Sequence, residues 1–384
     1  MDGSRIIDTY IRQLIETSTP EAPAWNIEKI RAGKASNTWN YVDGCMIKAL
    51  LDLYDITGRD VYLDFADRFI DHFVRSDGSI ASYDPEEYNL DNVNAGKTLH
   101  RLYAITGKAK YRKAMDVIRG QLDRQPRTVE GSFWHKLIYP NQVWLDGLYM
   151  AQPFYMQYEL SFNDGCGCAD AIHQFAVVRE RMRDDRNGLY RHAYDASLEA
   201  FWCDPVTGLS DCCWLRAEGW FAMALIDTWE LMPERMSAER DLLRRMFREL
   251  VDAMLPYRDG ETGMWRQVIN LPNIAPNYPE TSGSAIFAYA IMKGARLGAL
   301  PRHYFDIGLK VYHGICDTQL TEEDGRLTLG GICLVAGLGN VEHREGTFDY
   351  YMREPIVRND AKGVAPLVLA YVEVLRGGRR TEGE

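Results

Sequence analysis

The stretch Tyr139-Pro140-Asn141-Gln142-Val143-Trp144-Leu145-Asp146-Gly147-Leu148-Tyr149-Met150 places one carboxylate, Asp146, among aromatic and apolar side chains. Such a run is expected inside a protein. A carboxylate there costs free energy unless it is hydrogen-bonded, paired or neutral. Tyr139-Pro140-Asn141 reads as a turn, and the residues that follow through Glu159 read as a helix, so Asp146 falls near the mouth end of that helix. Gly147 beside it lets another backbone or a ligand come close. A structural carboxylate that caps or pairs in the core and a catalytic acid or base both fit this stretch.

The same opening recurs along the chain, at Trp39 to Gly44, Leu90 to Gly96, Trp214 to Gly219, Tyr278 to Gly283 and Asn359 to Gly363. Each has polar or acidic residues before its glycine and a mostly apolar helix after it. Between them lie striped segments: Arg59 to Arg75, Lys108 to Leu122, Asp170 to Arg183, Ala238 to Met254 and His303 to Tyr312, with Ile6 to Ile15 as the sixth. An apolar helix needs cover on every side, while a striped one faces water on one side. The alternation predicts an all-α fold, an (α/α)6 barrel or six-hairpin toroid, occupying residues 1–384 as a single catalytic domain. An open helical solenoid is the alternative, but it needs polar capping repeats, and Val364 to Leu375 is among the most apolar stretches. Leu189 to His192 reads as a small strand, Leu327 to Cys333 as a loop, and Gly377 to Glu384 as a frayed polar tail.

Composition narrows the partners. The net charge of -11 argues against a nucleic-acid backbone, while a few local Arg or His residues still allow an anionic small substrate. The eight Cys show no CxxC spacing and read as free thiols. No His-x-x-x-His or Cys/His cluster has metal-ligand spacing, and no phosphate-binding loop or Gly-x-Ser-x-Gly elbow is present, so no metal and no cofactor is expected. No apolar run is long enough to span a membrane. Met1 is followed by acidic and polar residues rather than a secretory signal, which with the free thiols points to the cytoplasm. A ring that hides its own apolar helices suits a monomer or a weak homo-oligomer.

If the glycine-marked openings share one rim, Asp43, Asp91, Asn94, Asp146, Arg216, Glu218, Glu280 and Asp360 converge on one funnel. Converging acids raise each other's pKa. Trp39, Tyr41, Trp144, Trp214 and Trp220 would add flat apolar surfaces. Aromatic faces beside carboxylates suit a sugar, and paired carboxylates suit glycoside hydrolysis. Core packing for each aromatic, and helix capping for Asp43 and Asp91, are the ordinary alternatives.

With these residues laid out, the chain resembles the unsaturated rhamnogalacturonyl hydrolases, glycoside hydrolase family 105, and more distantly the unsaturated glucuronyl hydrolases of family 88. The likeness spans nearly the whole chain: Trp39 to Gly44, Leu90 to Gly96, Phe133-Trp134-His135-Lys136, Trp144 to Phe154, His192, Trp214 to Trp220, Pro279 to Ser284 and Asn359 to Gly363. The resemblance implies the (α/α)6 barrel and release of 4,5-unsaturated galacturonic acid from the non-reducing end of a short oligosaccharide. It implies that Asp146 is the principal acid and Asp91 the second carboxylate. His192 and Arg216 would line the subsite for the unsaturated uronate, with Tyr41, His135, Lys136, Trp144, Met150, Trp214 and Trp220 at other pocket positions. Many relatives carry a glycine after the arginine of the Trp-x-Arg segment, where this chain has Ala217-Glu218. Glu218 is therefore expected to alter the rim.

The chemistry follows from the substrate. A 4,5-unsaturated uronate is an enol ether that needs one well-placed acid at C4, water at C5 and a cation for its carboxylate. An unsaturated glucuronyl hydrolase, another sugar-active toroid such as an epimerase or an inverting glycosidase, and a non-catalytic carbohydrate binder are the competing readings.

Overall fold

The glycines that open the apolar segments sit where a neighbouring element crowds the helix start, so that an added Cβ would lie 2.4–3.0 Å from the nearest atom at Gly283, Gly44, Gly96, Gly363, Gly219 and Gly147. In the computed structural model, which describes residues 3–34, 36–339 and 343–381, twelve helices make two concentric rings. The outer ring is α1 (Gly3–Glu16), α3 (Asp60–Phe73), α5 (Ala109–Arg124), α7 (Cys168–Met182), α9 (Ser237–Met254) and α11 (Tyr304–Gln319). The inner ring is α2 (Tyr41–Thr57), α4 (Gly96–Thr106), α6 (Leu145–Phe162), α8 (Leu215–Leu231), α10 (Thr281–Leu297) and α12 (Ala361–Thr381). Each inner helix packs on the next, and α12 packs back on α2, so the ring closes and the open solenoid is excluded. The fold is an (α/α)6 toroid.

The two helix types bury as their patterns require. Every residue of α10 from Thr281 to Ala295 is buried, as is α8 from Leu215 to Thr228. Outer helix α3 instead buries one stripe, Tyr62, Phe65, Ala66, Phe69, Ile70 and Phe73, at helical spacing. The inner helices touch at their first turns. A Cβ on Gly44 would lie 2.6 Å from the Ala95 Cα, and one on Gly283 would lie 2.4 Å from the Leu215 Cγ. Caps fix where these helices start. The Asn40 side chain accepts from Asp43 N at 2.9 Å, and Glu280 accepts from Ser282 N at 3.0 Å and Gly283 N at 2.8 Å.

Three expectations about the connections need correction. The strand expected at Leu189 to His192 lies directly after it, at Ala193–Asp195, paired antiparallel with Gln142–Trp144. Leu327 to Cys333 is not a loop. Leu320–Glu323 and Arg326–Leu329 form a hairpin, and Ile332–Cys333 pairs with Ile356–Val357. Its turn is Asp324-Gly325, with φ of 51° and 73°, the pair of positive angles that a tight two-residue hairpin needs. The tail continues α12 through Thr381, because Gly377 lets the Phe305 ring close in, a Cβ there lying 2.5 Å from it. Residues 382–384 of that expectation fall outside the described residues.

Two glycines test the close-approach account. Gly44→Ala must push into the Ala95 backbone and should destabilise by about 1–3 kcal/mol. Gly120→Ala, mid-helix in α5 with nothing within 4 Å of its Cβ position, should be neutral or stabilising by up to about 1 kcal/mol. Chemical denaturation of the two variants beside the parent gives both values; equal stabilities would contradict the packing described.

Candidate active site

The inner ring opens at one end into a cavity of about 160 Å³. That is below the roughly 300–1,000 Å³ of clefts that enclose a drug-sized ligand, so it suits one ring of a chain rather than several. Tyr41, Asp91, His135, Lys136, Trp144, Asp146, Met150, His192, Trp214, Arg216 and Trp220 all line it. Tyr139 and Lys362, from two of the segments singled out in the sequence, line it as well, as do Glu28, Arg344 and the Val335 to Gly337 segment, which were not expected there.

Local structure explains how these side chains meet. Asp146 is the second residue of α6 and Arg216 the second residue of α8. Side chains in a first turn lean toward the helix N-terminus, here the rim. The pairing of Gln142–Trp144 with Ala193–Asp195 sets Trp144 opposite Ala193. Leu145 N then donates to the His192 carbonyl at 3.1 Å, which draws His192 beside Asp146. Gly147 leaves room for the His135 ring, whose Nδ1 would lie 3.0 Å from a Cβ at that position. His135 stacks on Trp144 at 4.5 Å between centroids, and Tyr139 stacks on Trp144 at 5.0 Å.

Two carboxylates face the cavity in different electrostatic settings. Asp91 lies 2.7 Å from Lys136 Nζ and 3.4 Å from His135 Nε2. Burial opposes its charge, but Lys136 and His135 outweigh burial and hold the carboxyl below its usual range. The expected mutual raising of acids therefore does not apply to Asp91, because a lysine, not another acid, is its nearest charge. Burial drives His135 down to about 4, leaving it neutral near pH 7. Asp146 Oδ2 lies 3.3 Å from His192 Nε2, and neither atom has a hydrogen-bond partner. His192 Nδ1 lies 2.8 Å from the Tyr351 hydroxyl.

Arg216 is 1% exposed. Its Nη2 donates to the Cys333 carbonyl at 2.6 Å, while Nε and Nη1 are buried with no partner. Burial works against its charge, yet the fields of Cys333, Glu280, Tyr41 and Asp360 raise its pKa further. Its guanidinium sits 4.9 Å from the Trp214 ring centroid. Deeper in, Trp220 stacks on Tyr149 at 5.0 Å, and Asn94 Nδ2 reaches Met150 Sδ at 3.0 Å.

Other acids expected at the funnel are locked elsewhere. Asp43 accepts from Trp25 Nε1 at 2.8 Å and from Asn40 Nδ2 at 2.7 Å. Glu280 caps α10 and also accepts from Cys333 N at 3.0 Å. Asp360 accepts from Lys362 N at 2.9 Å. Asn94 is buried against sulfur. Glu218 does not reach the rim. It is buried behind α8, where Oε1 accepts from Tyr190 N at 2.6 Å and Oε2 has no partner. It braces the segment that carries His192.

Burial raises the Glu218 pKa from 4.5 to about 8. The folded state then holds this proton more tightly than the unfolded chain does. The resulting stabilisation is complete below about pH 4.5 and is lost as pH rises through about 8. Glu218→Gln keeps the acceptor for Tyr190 N and removes the titration. Melting curves of parent and variant should therefore diverge as pH rises from about 5 to 8, with the parent losing more of its Tm. Parallel curves would remove Glu218 as the titrating group.

Comparisons with known proteins identify the family. The sequence model described as Glycosyl Hydrolase Family 88 matches residues 14–377. A solved Clostridium acetobutylicum structure, described as a glycoside hydrolase from family 105, is 39% identical. It covers 96% of this chain and 98% of its own, with a TM-score of 0.88. Protein Atu3128 of Agrobacterium fabrum is 39% identical over 233 residues, which is 59% of this chain and 98% of that protein. The unsaturated rhamnogalacturonyl hydrolase YesR of Bacillus subtilis is 25% identical over 348 residues, 89% of this chain and 91% of its own. The chain belongs to glycosyl hydrolase family 88, is related to the family 105 proteins, and is a glycoside hydrolase.

Proposed function

We propose that this hydrolase releases 4,5-unsaturated galacturonic acid from the non-reducing end of short oligosaccharides, such as the unsaturated disaccharide of rhamnogalacturonan. The observation that carries the reading is Arg216, a buried guanidinium in the same cavity as Asp146 with two nitrogens left unpartnered. A buried cation so placed calls for an anion, and a planar carboxylate matches its fork. The similarity to YesR supports the same substrate class.

In this mechanism Asp146 gives a proton to C4 of the enol ether, and positive charge develops at C5 and the ring oxygen. Water adds to C5 and returns its proton to Asp146. The hemiketal then opens and expels the remaining sugar as an alcohol, so one water is consumed and the acid is regenerated. Arg216 holds the C5 carboxylate and sets C4 over the acid. Asp91, kept negative by Lys136, accepts from the water or a ring hydroxyl. Trp144, Trp214 and Trp220 supply apolar faces to the ring.

Asp146→Asn keeps the shape and removes the proton, so kcat should fall by about 10²–10⁴ with little change in Tm. Turnover within about threefold of the parent, in a variant that melts early, would make Asp146 structural instead. The disappearance of the conjugated double bond's ultraviolet band follows the reaction directly.

Arg216→Ala should lower kcat/KM on charged unsaturated disaccharides by about tenfold to a few hundredfold, the range of one or two charged hydrogen bonds. Lyase-made disaccharides from rhamnogalacturonan, homogalacturonan, ulvan and glycosaminoglycans, assayed side by side, identify the leaving sugar. Cleavage of saturated disaccharides with none of these consumed would overturn the proposal.

A further inference from the structure

We infer that Tyr351 is a positioning residue that fixes the tautomer of His192 and thereby sets an N–H, rather than a lone pair, on the side of Asp146. Its kinetic part rests on the reading of Asp146 as the acid; its structural part does not.

Tyr351 comes from a short helix, Phe348–Arg353, started by Thr347, whose hydroxyl accepts from Tyr350 N at 3.3 Å. Tyr351 is fully buried. Burial pushes its pKa well above the ordinary value, so the phenol keeps its proton. Among the described residues, the hydroxyl has one hydrogen-bonding partner, His192 Nδ1 at 2.8 Å. A buried phenol that keeps its proton needs an acceptor. If His192 were protonated on Nδ1 and donated to the tyrosine, the phenol proton would be left without one. Tyr351 therefore donates and His192 accepts at Nδ1, a pairing that puts the imidazole hydrogen on Nε2.

That nitrogen lies 3.3 Å from Asp146 Oδ2, and both atoms are shielded from solvent without a completed hydrogen bond between them. The fixed tautomer makes an N–H, rather than a lone pair, the group that His192 presents on the Asp146 side. When Asp146 gives its proton to C4, that N–H dipole favours the new carboxylate, and the proton from water then restores the acid. The ring itself is held between fixed neighbours. His192 N donates to the Cys212 carbonyl at 3.4 Å, and the imidazole lies 4.7 Å from the Trp214 ring.

Nitrogen-15 NMR of protein labelled in its eight histidines, with His192 assigned by loss of its signals in His192→Asn, reads the tautomer directly. At a pH where the imidazole is neutral, His192 should show a protonated Nε2 and a pyridine-type Nδ1. Tyr351→Phe should mix the two tautomers and lower kcat about tenfold, the scale of one lost hydrogen bond, with KM changed less than about twofold. Protonated Nδ1 in the parent overturns the inference without any activity measurement. So does a Tyr351→Phe variant with the parental spectrum and kcat. Should no unsaturated uronyl substrate turn over, the proposed function fails while the parental spectrum still decides the tautomer.

Discussion

The inner helices pack without room for a side chain at their first turns, and the cavity depends on it. At Gly283 and Gly44 no Cβ fits between neighbouring elements, so the rim is as tight as backbone packing allows. First-turn side chains lean toward the N-terminal end of their helix, so tight starts direct Tyr41, Asp146 and Arg216 into one opening. The same ends carry the positive pole of the helix dipole, which favours negative charge there. A carboxylate such as Asp146 and an incoming uronate both benefit from that field.

The rim differs from the rest of the barrel in how its charges are matched. Away from the cavity, several buried ions meet partners of opposite sign, while Lys97 and Glu218 have backbone partners instead. Lys293 lies 2.7 Å from Asp227, Arg119 2.5 Å from Glu159, and Arg296 2.5 Å from Glu373. Removing one member of such a pair leaves a buried charge alone, which is strongly destabilising. At the rim, Arg216 has two unpartnered nitrogens, and Asp146 Oδ2 and His192 Nε2 face each other without a completed bond. Stability alone gives no reason to leave these groups incomplete, and a bound anion supplies what Arg216 lacks.

The barrel was legible because its pattern is periodic. Glycines and apolar runs recur with each helical pair, and the striped helices between them report which face meets water. The cavity was legible where its residues sit at helix openings, as Asp146, Arg216 and Tyr41 do. The acids were harder to sort. Asp43, Glu218 and Glu280 occupy the same kind of position as Asp146, and helix rotation decides whether each faces the funnel or turns back into the protein. Glu218 turns back to Tyr190 N, a contact with a connection that no local pattern announces. Tyr351 enters from an element far along the chain, and Phe348-Asp349-Tyr350-Tyr351 reads like ordinary core. A further repeat escaped notice. Asp184, Asp204 and Asp259 each accept, at the backbone carbonyl, from a left-handed glycine four residues on, at 2.7, 2.8 and 2.9 Å. These turns reverse the chain between an outer helix and the next inner one.

The charge balance of the cavity bears on discrimination. Asp91 is matched by Lys136, and Lys362 by Asp360 at 3.1 Å. His135 is held neutral. Glu28 lies 3.8 Å from Lys362, and Arg344 adds a guanidinium to the lining. Among the buried groups described, Arg216 on one wall and Asp146 on another keep unpartnered atoms. On the proposed function, a sugar with a carboxylate at C5 would fill the guanidinium fork and leave Asp146 beside the adjacent carbon. A neutral sugar of the same size would displace water from the guanidinium and give it no anion in return, leaving a buried cation unpaired. Rejection by an unmatched polar group is far stronger than rejection by shape alone. The pocket therefore needs no bulky gate against neutral sugars, and the aromatic walls are left to position the ring.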